Sequence, residues 1–229
     1  MKYKNVLVIA AHPDDEVLGV GGTIARLAGE GAHVTILILA EGITSRAELT
    51  EKDKKSQLKV LREQARKVGK FLGAKDVRFL GFPDNRLDTV PLLDVVHTIE
   101  AVIKEVKPEV VYTQHGGDLN IDHAVTFRAT MTATRPMRGS CVKCVYAYAV
   151  GSSTEWSFQK FSPVFRPASF MDISKTLTKK IRAMQMYESE ARAFPHPRSP
   201  EAIEAQAKVW GSTAGLLAAE AFECIRTVQ

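Results

Sequence analysis

The chain has 229 residues, of which 45% are hydrophobic, 7% aromatic and 25% charged. That balance suits one large or two small globular domains with a sizeable core and excludes a disordered or fibrous chain. The 31 Lys and Arg against 26 Asp and Glu leave a net +5, which taken alone would suit a nucleic acid or an anionic surface. The surplus is local: between Glu51 and Arg78 ten basic residues stand against four acidic ones, so this stretch holds +6 and the remainder sums to −1.

Three cysteines, Cys141, Cys144 and Cys224, are too few for a secreted disulfide scaffold, and the odd count leaves one unpaired. A reducing, cytoplasmic setting is expected. The apolar run Val6–Ala11 meets His12, Pro13, Asp14 and Asp15 where a signal peptide would place small residues. No apolar run approaches the roughly 20 residues of a membrane span, and the basic segment Ser56–Leu72 interleaves only Phe71 among its charges, so neither a membrane nor a nucleic acid is expected as a partner.

In chain order, runs rich in Val, Ile and Leu at Asn5–Ala10, His33–Ala40, Val77–Gly81, Glu109–Gln114 and Val145–Val150 predict strands. They are apolar on successive residues, the mark of strands covered on both faces. Between them Val17–Glu30, Ser56–Leu72 and Pro91–Val106 repeat apolar residues every three or four positions and predict amphipathic helices. Asp88 or Thr89 is the expected cap of the third, and Ser199–Pro200–Glu201 opens a last helix expected to run to about Phe222. With no repeat or low-complexity tract, residues 1–229 are expected to form a single domain.

Alternating strand and helix imply an open, doubly wound, Rossmann-like α/β fold: a mostly parallel sheet with helices on both faces. Its ligand crevice should lie beyond the carboxyl ends of the strands, where the winding reverses. Here that means the loops after Ala10 and after Gln114.

Those loops hold the unusual chemistry. The first reads Ala11–His12–Pro13–Asp14–Asp15–Glu16, an imidazole and three carboxylates in one turn stiffened by Pro13. The second reads His115–Gly116–Gly117–Asp118–Leu119–Asn120–Ile121–Asp122–His123. A single His beside one Asp is an ordinary helix cap, but carboxylates gathered at one crevice repel one another unless a cation sits among them. Two His and one carboxylate with an open position is a catalytic zinc arrangement, and His12, Asp15 and His123 fit it, with Zn2+ as the expected cofactor. Asp14 is then placed as the general base that activates water, its alternatives being a cap or a further ligand.

The motifs Ala-His-Pro-Asp-Asp-Glu and Asp-Leu-Asn-Ile-Asp-His resemble those of the PIG-L/LmbE-type zinc N-deacetylases, which remove acetyl groups from N-acetylated amino sugars and their conjugates. Arg62–Glu63 with Leu72–Gly73, Pro83–Asp84 and Ala219–Glu220–Ala221–Phe222 resemble the family's second helix, following loop and closing helix, so the likeness covers nearly the whole chain. It implies His12, Asp15 and His123 as zinc ligands, Asp14 as the base, a small N-acetylated sugar as substrate, and a homo-oligomer. One departure stands out: Asn120 occupies the place where many members have a second His that stabilises the intermediate.

Asn120 keeps a hydrogen-bond donor for the oxyanion but cannot supply a proton. His196, in the proline-flanked loop Phe194–Ser199, or His115 is the expected substitute. Arg62, His115 and Asp118 are taken as substrate contacts, Arg62 also belonging to a basic stripe with Arg66 and Lys70 that a solvated helix face would show. Glu16 is read as orienting a ligand or capping the helix, and Asp122 as hydrogen-bonding a ligand His. Specificity is expected in Glu41–Lys55, in Phe82–Thr89 and in Gly151–Pro167, where Trp156, Phe158, Phe161 and Phe165 line either an apolar wall or the core.

Gly19, Gly21 and Gly22 lack dinucleotide-fingerprint spacing and are read as close-packing sites. Gly211 and Gly215 suit tight helix contact, within or between subunits. Competing functions are a metal-dependent phosphoesterase, which would favour oxygen ligands over two imidazoles, and a non-catalytic sugar-binding module with a relict metal site.

Overall fold

The doubly covered strands come first because their composition leaves no polar face. β1 (Asn5–Ala10) and β2 (His33–Ala40) keep every residue after the first buried. In the computed structural model, which describes residues 3–43 and 50–228, they lie inside a seven-stranded sheet with α1 (Asp15–Gly29) between them in the chain. α2 (Glu51–Leu72), β3 (Asp76–Phe82), α3 (Leu92–Val106), β4 (Val110–Gln114), α4 (Ile121–Ala133) and β5 (Cys144–Tyr148) continue the alternation. β6 (Ser169–Asp172), α5 (Leu177–Gln185), α6 (Pro200–Ala214) and β7 (Ala219–Thr227) complete it.

The strand order is β3-β2-β1-β4-β5-β7-β6, with β1 to β5 parallel and β7 antiparallel to both of its neighbours. Successive side chains of a strand point to opposite faces. Val6, Val8 and Ala10 therefore enter one core, with α1, α2 and α5, while Leu7 and Ile9 enter the other, with α3 and α4. Winding reverses between β1 and β4, which places the loops after Ala10 and Gln114 side by side.

Three expectations are corrected. α2 begins at Glu51, not Ser56, because Thr50 caps it by accepting the Asp53 N–H at 3.2 Å, and neither Asp88 nor Thr89 caps α3, whose first turn follows Pro91 without a side-chain cap. The last helix does not reach Phe222. Gly215, in the left-handed region at φ 71°, closes α6 at Ala214, and Ala219–Phe222 is strand. A Cβ on Gly211 would meet the Leu216 carbonyl oxygen at 2.7 Å, so these two glycines serve the chain's own turn. Gly19 allows α1 to touch the sheet: a Cβ there would lie 2.0 Å from a ring carbon of the buried Tyr148.

β7 also brings Glu220 under α1. The carboxylate accepts the N–H groups of Gly22 at 2.9 Å and Thr23 at 2.7 Å, and pairs with Lys180 Nζ at 2.6 Å, which in turn donates to the Leu18 carbonyl. Both side chains are buried. Removing one partner strands the other charge, so Glu220→Ala or Lys180→Met is expected to cost about 3–5 kcal/mol in urea unfolding, and the Glu220→Leu/Lys180→Met double variant less than the sum of the singles.

Candidate metal centre

The crevice opens where the two switch-point loops meet. After β1 the chain turns through His12 and Pro13 into α1. Asp14 stands at the helix N-cap with φ 105°, a left-handed conformation that a non-glycine residue holds only when its surroundings enforce it. Glu16 enforces it from below, accepting the Asp14 N–H at 3.0 Å and the Tyr187 hydroxyl at 2.6 Å. Arg198 does so from above, its guanidinium 2.8 Å from Asp14 Oδ2 and 2.9 Å from Glu190.

His12, Asp15 and His123 converge. Their potential donor atoms lie within 4.8 Å of one another and all three residues are buried. Asp15 Oδ2 sits between the imidazoles, 3.4 Å from His12 Nδ1 and 3.3 Å from His123 Nε2, and also accepts the His12 N–H and Gln114 Nε2. Each imidazole has a carboxylate on its far nitrogen: Asp122 at 2.9 Å from His12 Nε2, Asp118 at 3.2 Å from His123 Nδ1. Such outer carboxylates set the tautomer and ring orientation of metal-ligating histidines. Asp122 is itself held by the backbone N–H groups of Asn85 and Leu87. A second set, His12, Asp84 and Asp122, is equally close, but it uses the His12 nitrogen already engaged by Asp122.

The donors themselves suit a cation. Burial works against charge on both imidazoles, yet hydrogen bonds to Asp122 and Asp15 raise His12 to about 10, and the Asp15 charge with Asp118 raises His123 to about 9. Burial would raise Asp15, but the His123 and His12 charges hold it well below the carboxylate range. Two protons thus sit where a divalent ion would place its charge, and metal binding would release them. Burial pushes Asp14 well above the carboxylate range, opposed chiefly by Arg198. Burial takes Glu16 to about 7 against the pull of Tyr187.

The other expected site residues lie elsewhere, or face away. Asn120 caps α4, its Oδ1 accepting the Asp122 N–H and its Nδ2 donating to Asn85 at 3.0 Å, so it borders the crevice with its amide engaged. Asp118 accepts from Ser153 and Thr154 as well as facing His123, which places it to orient that imidazole. His115 is buried, with one nitrogen 2.7 Å from Glu223 and the other 2.8 Å from the Pro163 carbonyl; it ties the segment around Pro163 to the sheet and does not reach the crevice. His196 packs edge-on to Trp156 and accepts the Arg198 N–H, outside the crevice lining. Arg62 lies over Phe79 and 3.8 Å from Glu41 on α2, again outside it. Of the segments expected to set specificity, residues 44–49 fall outside the described residues.

Sequence reasoning missed Arg198, Glu190 and Gln114. A charge count would have exposed the first, because buried carboxylates at Asp14, Asp15 and Glu16 need a fixed cation as well as a metal. Arg198 is a positioning residue for Asp14. Arg198→Met is expected to lower kcat on the order of 10²-fold by misplacing that carboxylate, with bound metal and KM little changed, and Arg198→Lys to restore part of the loss.

A parallel sheet carrying a buried two-histidine, one-carboxylate donor set at its switch point defines the class: an α/β protein with a candidate catalytic metal centre. Residues 7–134, more than half of the chain, match the GlcNAc-PI de-N-acetylase (PIG-L) family, and the chain belongs to it. It is 28% identical over 196 residues to the "probable N-acetyl-alpha-D-glucosaminyl L-malate deacetylase 2" of Bacillus cereus, covering 83% of this chain and 86% of that one. The N,N'-diacetylchitobiose deacetylase of Pyrococcus horikoshii superposes with TM-score 0.79 at 18% identity, over 98% of this chain and 84% of that one. The hydratase GalB of Pseudomonas putida KT2440, which acts on 4-carboxy-2-hydroxymuconate, superposes with TM-score 0.76 at 22% identity, over 99% and 98% of the two chains. The last two likenesses show the fold alone: one neighbour is a deacetylase and the other a hydratase, so this fold by itself does not fix a reaction.

Proposed function

We propose that this chain is a zinc-dependent deacetylase of an N-acetylated amino sugar or its conjugate, working as a single domain in a homo-oligomer in a reducing cytoplasm. The observation that carries the reading is Asp14, a buried carboxylate fixed by Arg198 beside the His12, Asp15 and His123 donors but engaged by neither imidazole. A site that only stored a metal would have no use for it.

His12, Asp15 and His123 would hold the ion, which when bound supplies a Lewis acid for the amide carbonyl and lowers the pKa of water towards about 7. Asp14 takes a proton from the attacking water and later passes it to the departing nitrogen, so that one group serves as base and then acid. Hydroxyl adds to the carbonyl carbon, the C–N bond breaks, and acetate and a free amine leave. Arg198 keeps the Asp14 carboxylate turned into the crevice, while Asp122 and Asp118 fix the two imidazoles. The crevice, about 190 Å³ and lined mainly by polar side chains, is smaller than sites that enclose a drug-sized ligand, so it takes the acetamido end of the substrate and leaves the rest outside.

The test is acetate release from N-acetylglucosamine, diacetylchitobiose and N-acetylglucosaminyl malate by protein stripped with a chelator and then reloaded with zinc. Release that appears only on reloading supports the reading. A zinc-loaded protein that releases no acetate from any of the three overturns it.

A further inference from the structure

Behind the metal crevice lies a much larger space that the reaction above does not use. It measures about 730 Å³ and is enclosed by α6, the segment around Phe165, and the start of β7. Leu18, Phe158, Phe165, Ile203 and Trp210 give it an apolar and aromatic lining. It opens to solvent beside Phe158, whose side chain is 75% exposed. Sites of about 300–1,000 Å³ with mostly apolar walls and few polar groups enclose drug-sized molecules, and water in such a space is readily displaced by apolar surface.

Polar side chains at its exposed margin include Glu155, Gln159 and Gln206, and the buried part of the lining carries a charged pair, Lys180–Glu220. Glu220 is engaged by Gly22, Thr23 and Lys180. Lys180 donates to Leu18 and Glu220, leaving, among the described contacts, one of its three N–H bonds for a ligand oxygen. The pair is neutral as a unit, so an uncharged ligand suits it.

The wall between this cavity and the crevice is thin and shared. Val150 lines both; Gly151, Thr154 and Pro197 face the cavity, while Ser152, Ser153 and Arg198 face the crevice. Both segments hold site residues. Ser153 and Thr154 donate to Asp118, which faces His123, and Arg198 donates to Ser152 while pairing with Asp14.

We propose that this cavity is a second binding site, back to back with the metal crevice, for an uncharged, mainly apolar molecule presenting one oxygen to Lys180, and that its occupancy tightens the wall carrying Ser152–Thr154. The probe is a bromooctanol, whose bromine quenches tryptophan. The chain has two tryptophans, so Trp156→Phe leaves Trp210, in the cavity lining, as the reporter.

Saturable one-to-one quenching is expected, weakened about tenfold by Ala202→Phe, which fills the space, and severalfold by Phe158→Ala, which removes an exposed wall residue without touching the core. Amide hydrogen exchange at residues 152–154 should slow severalfold at saturation. Non-saturable quenching, or equal affinity in both variants, overturns the site, and unchanged exchange at 152–154 overturns the link to the wall. None of these readouts requires acetate release, so their failure is distinct from failure of the deacetylase reading.

Discussion

With Asp15 replaced by alanine, the protein is expected to purify without stoichiometric divalent metal, and zinc added back should not restore acetate release. Asp15 is the hinge of the donor set: one oxygen lies within 3.4 Å of His12 Nδ1 and 3.3 Å of His123 Nε2 and also accepts the Gln114 amide. Alanine leaves two buried imidazoles with no carboxylate between them, and the donor count falls to two. Losing a Lewis acid worth several kcal/mol corresponds to about 10³-fold or more in rate. Metal analysis of the dialysed variant, beside wild type, reads the first part directly. By contrast Asp122→Asn, which changes the partner of His12 Nε2 or the acceptor of the Leu87 N–H but leaves the three donors in place, should retain metal with affinity reduced about 10–100-fold. If Asp15→Ala binds zinc as tightly as wild type, the assignment of the donors is wrong.

The second large effect concerns Asp14. Asp14→Asn is nearly isosteric, its amide oxygen can keep the place beside the Arg198 guanidinium, and asparagine tolerates the left-handed backbone at φ 105° better than most residues. Fold and metal content should therefore stay as in wild type. What disappears is the ability to take a proton from water, a contribution of about 10²–10⁴ in rate. The expected result is a fall in kcat of that order, KM within a few-fold of wild type and full zinc occupancy. Turnover close to wild type would remove Asp14 from the reaction, and the deacetylase reading would lose the residue that carries it.

These two variants separate roles that adjacent residues play in one turn. Asp15 and Asp14 differ by a single position, yet their surroundings push their protonation in opposite directions. The two imidazoles hold Asp15 charged, while burial favours a proton on Asp14 and Arg198 resists it. In the proposed reaction it is this difference of environment, and not residue type, that would sort the pair into a ligand and a base.

Much of the frame was legible in the chain. β1 and β2 have the bounds expected of them because apolar residues in unbroken succession have only one stable home, the middle of a covered sheet. Strand–helix alternation led to a parallel sheet, and the switch-point rule placed the loops after Ala10 and Gln114 together. The approach of His12, Asp15 and His123 followed from that placement, with Pro13 and the N-cap geometry fixing local directions.

What the pattern did not contain were partners contributed from far along the chain. Arg198 reaches Asp14 across 184 positions because Ser199 caps α6 and sets the chain just before it against the crevice. His196, two residues away, turns to Trp156 instead, and no periodicity distinguishes the two. His115 sits in a crevice loop by sequence, but Glu223, on the strand that follows where the last helix was expected to end, engages its ring nitrogen. Ala219–Phe222 reads as helix locally, and became strand because Gly215 stops α6 and the β5 edge offers unpaired backbone groups that β7 satisfies. Local composition decides the doubly covered strands, most of the helices and which loops meet at the switch point, while the last strand is decided by the sheet edge it pairs with. Which side chain completes the site is decided by packing, because a buried carboxylate takes whichever donor the tertiary fold brings within reach.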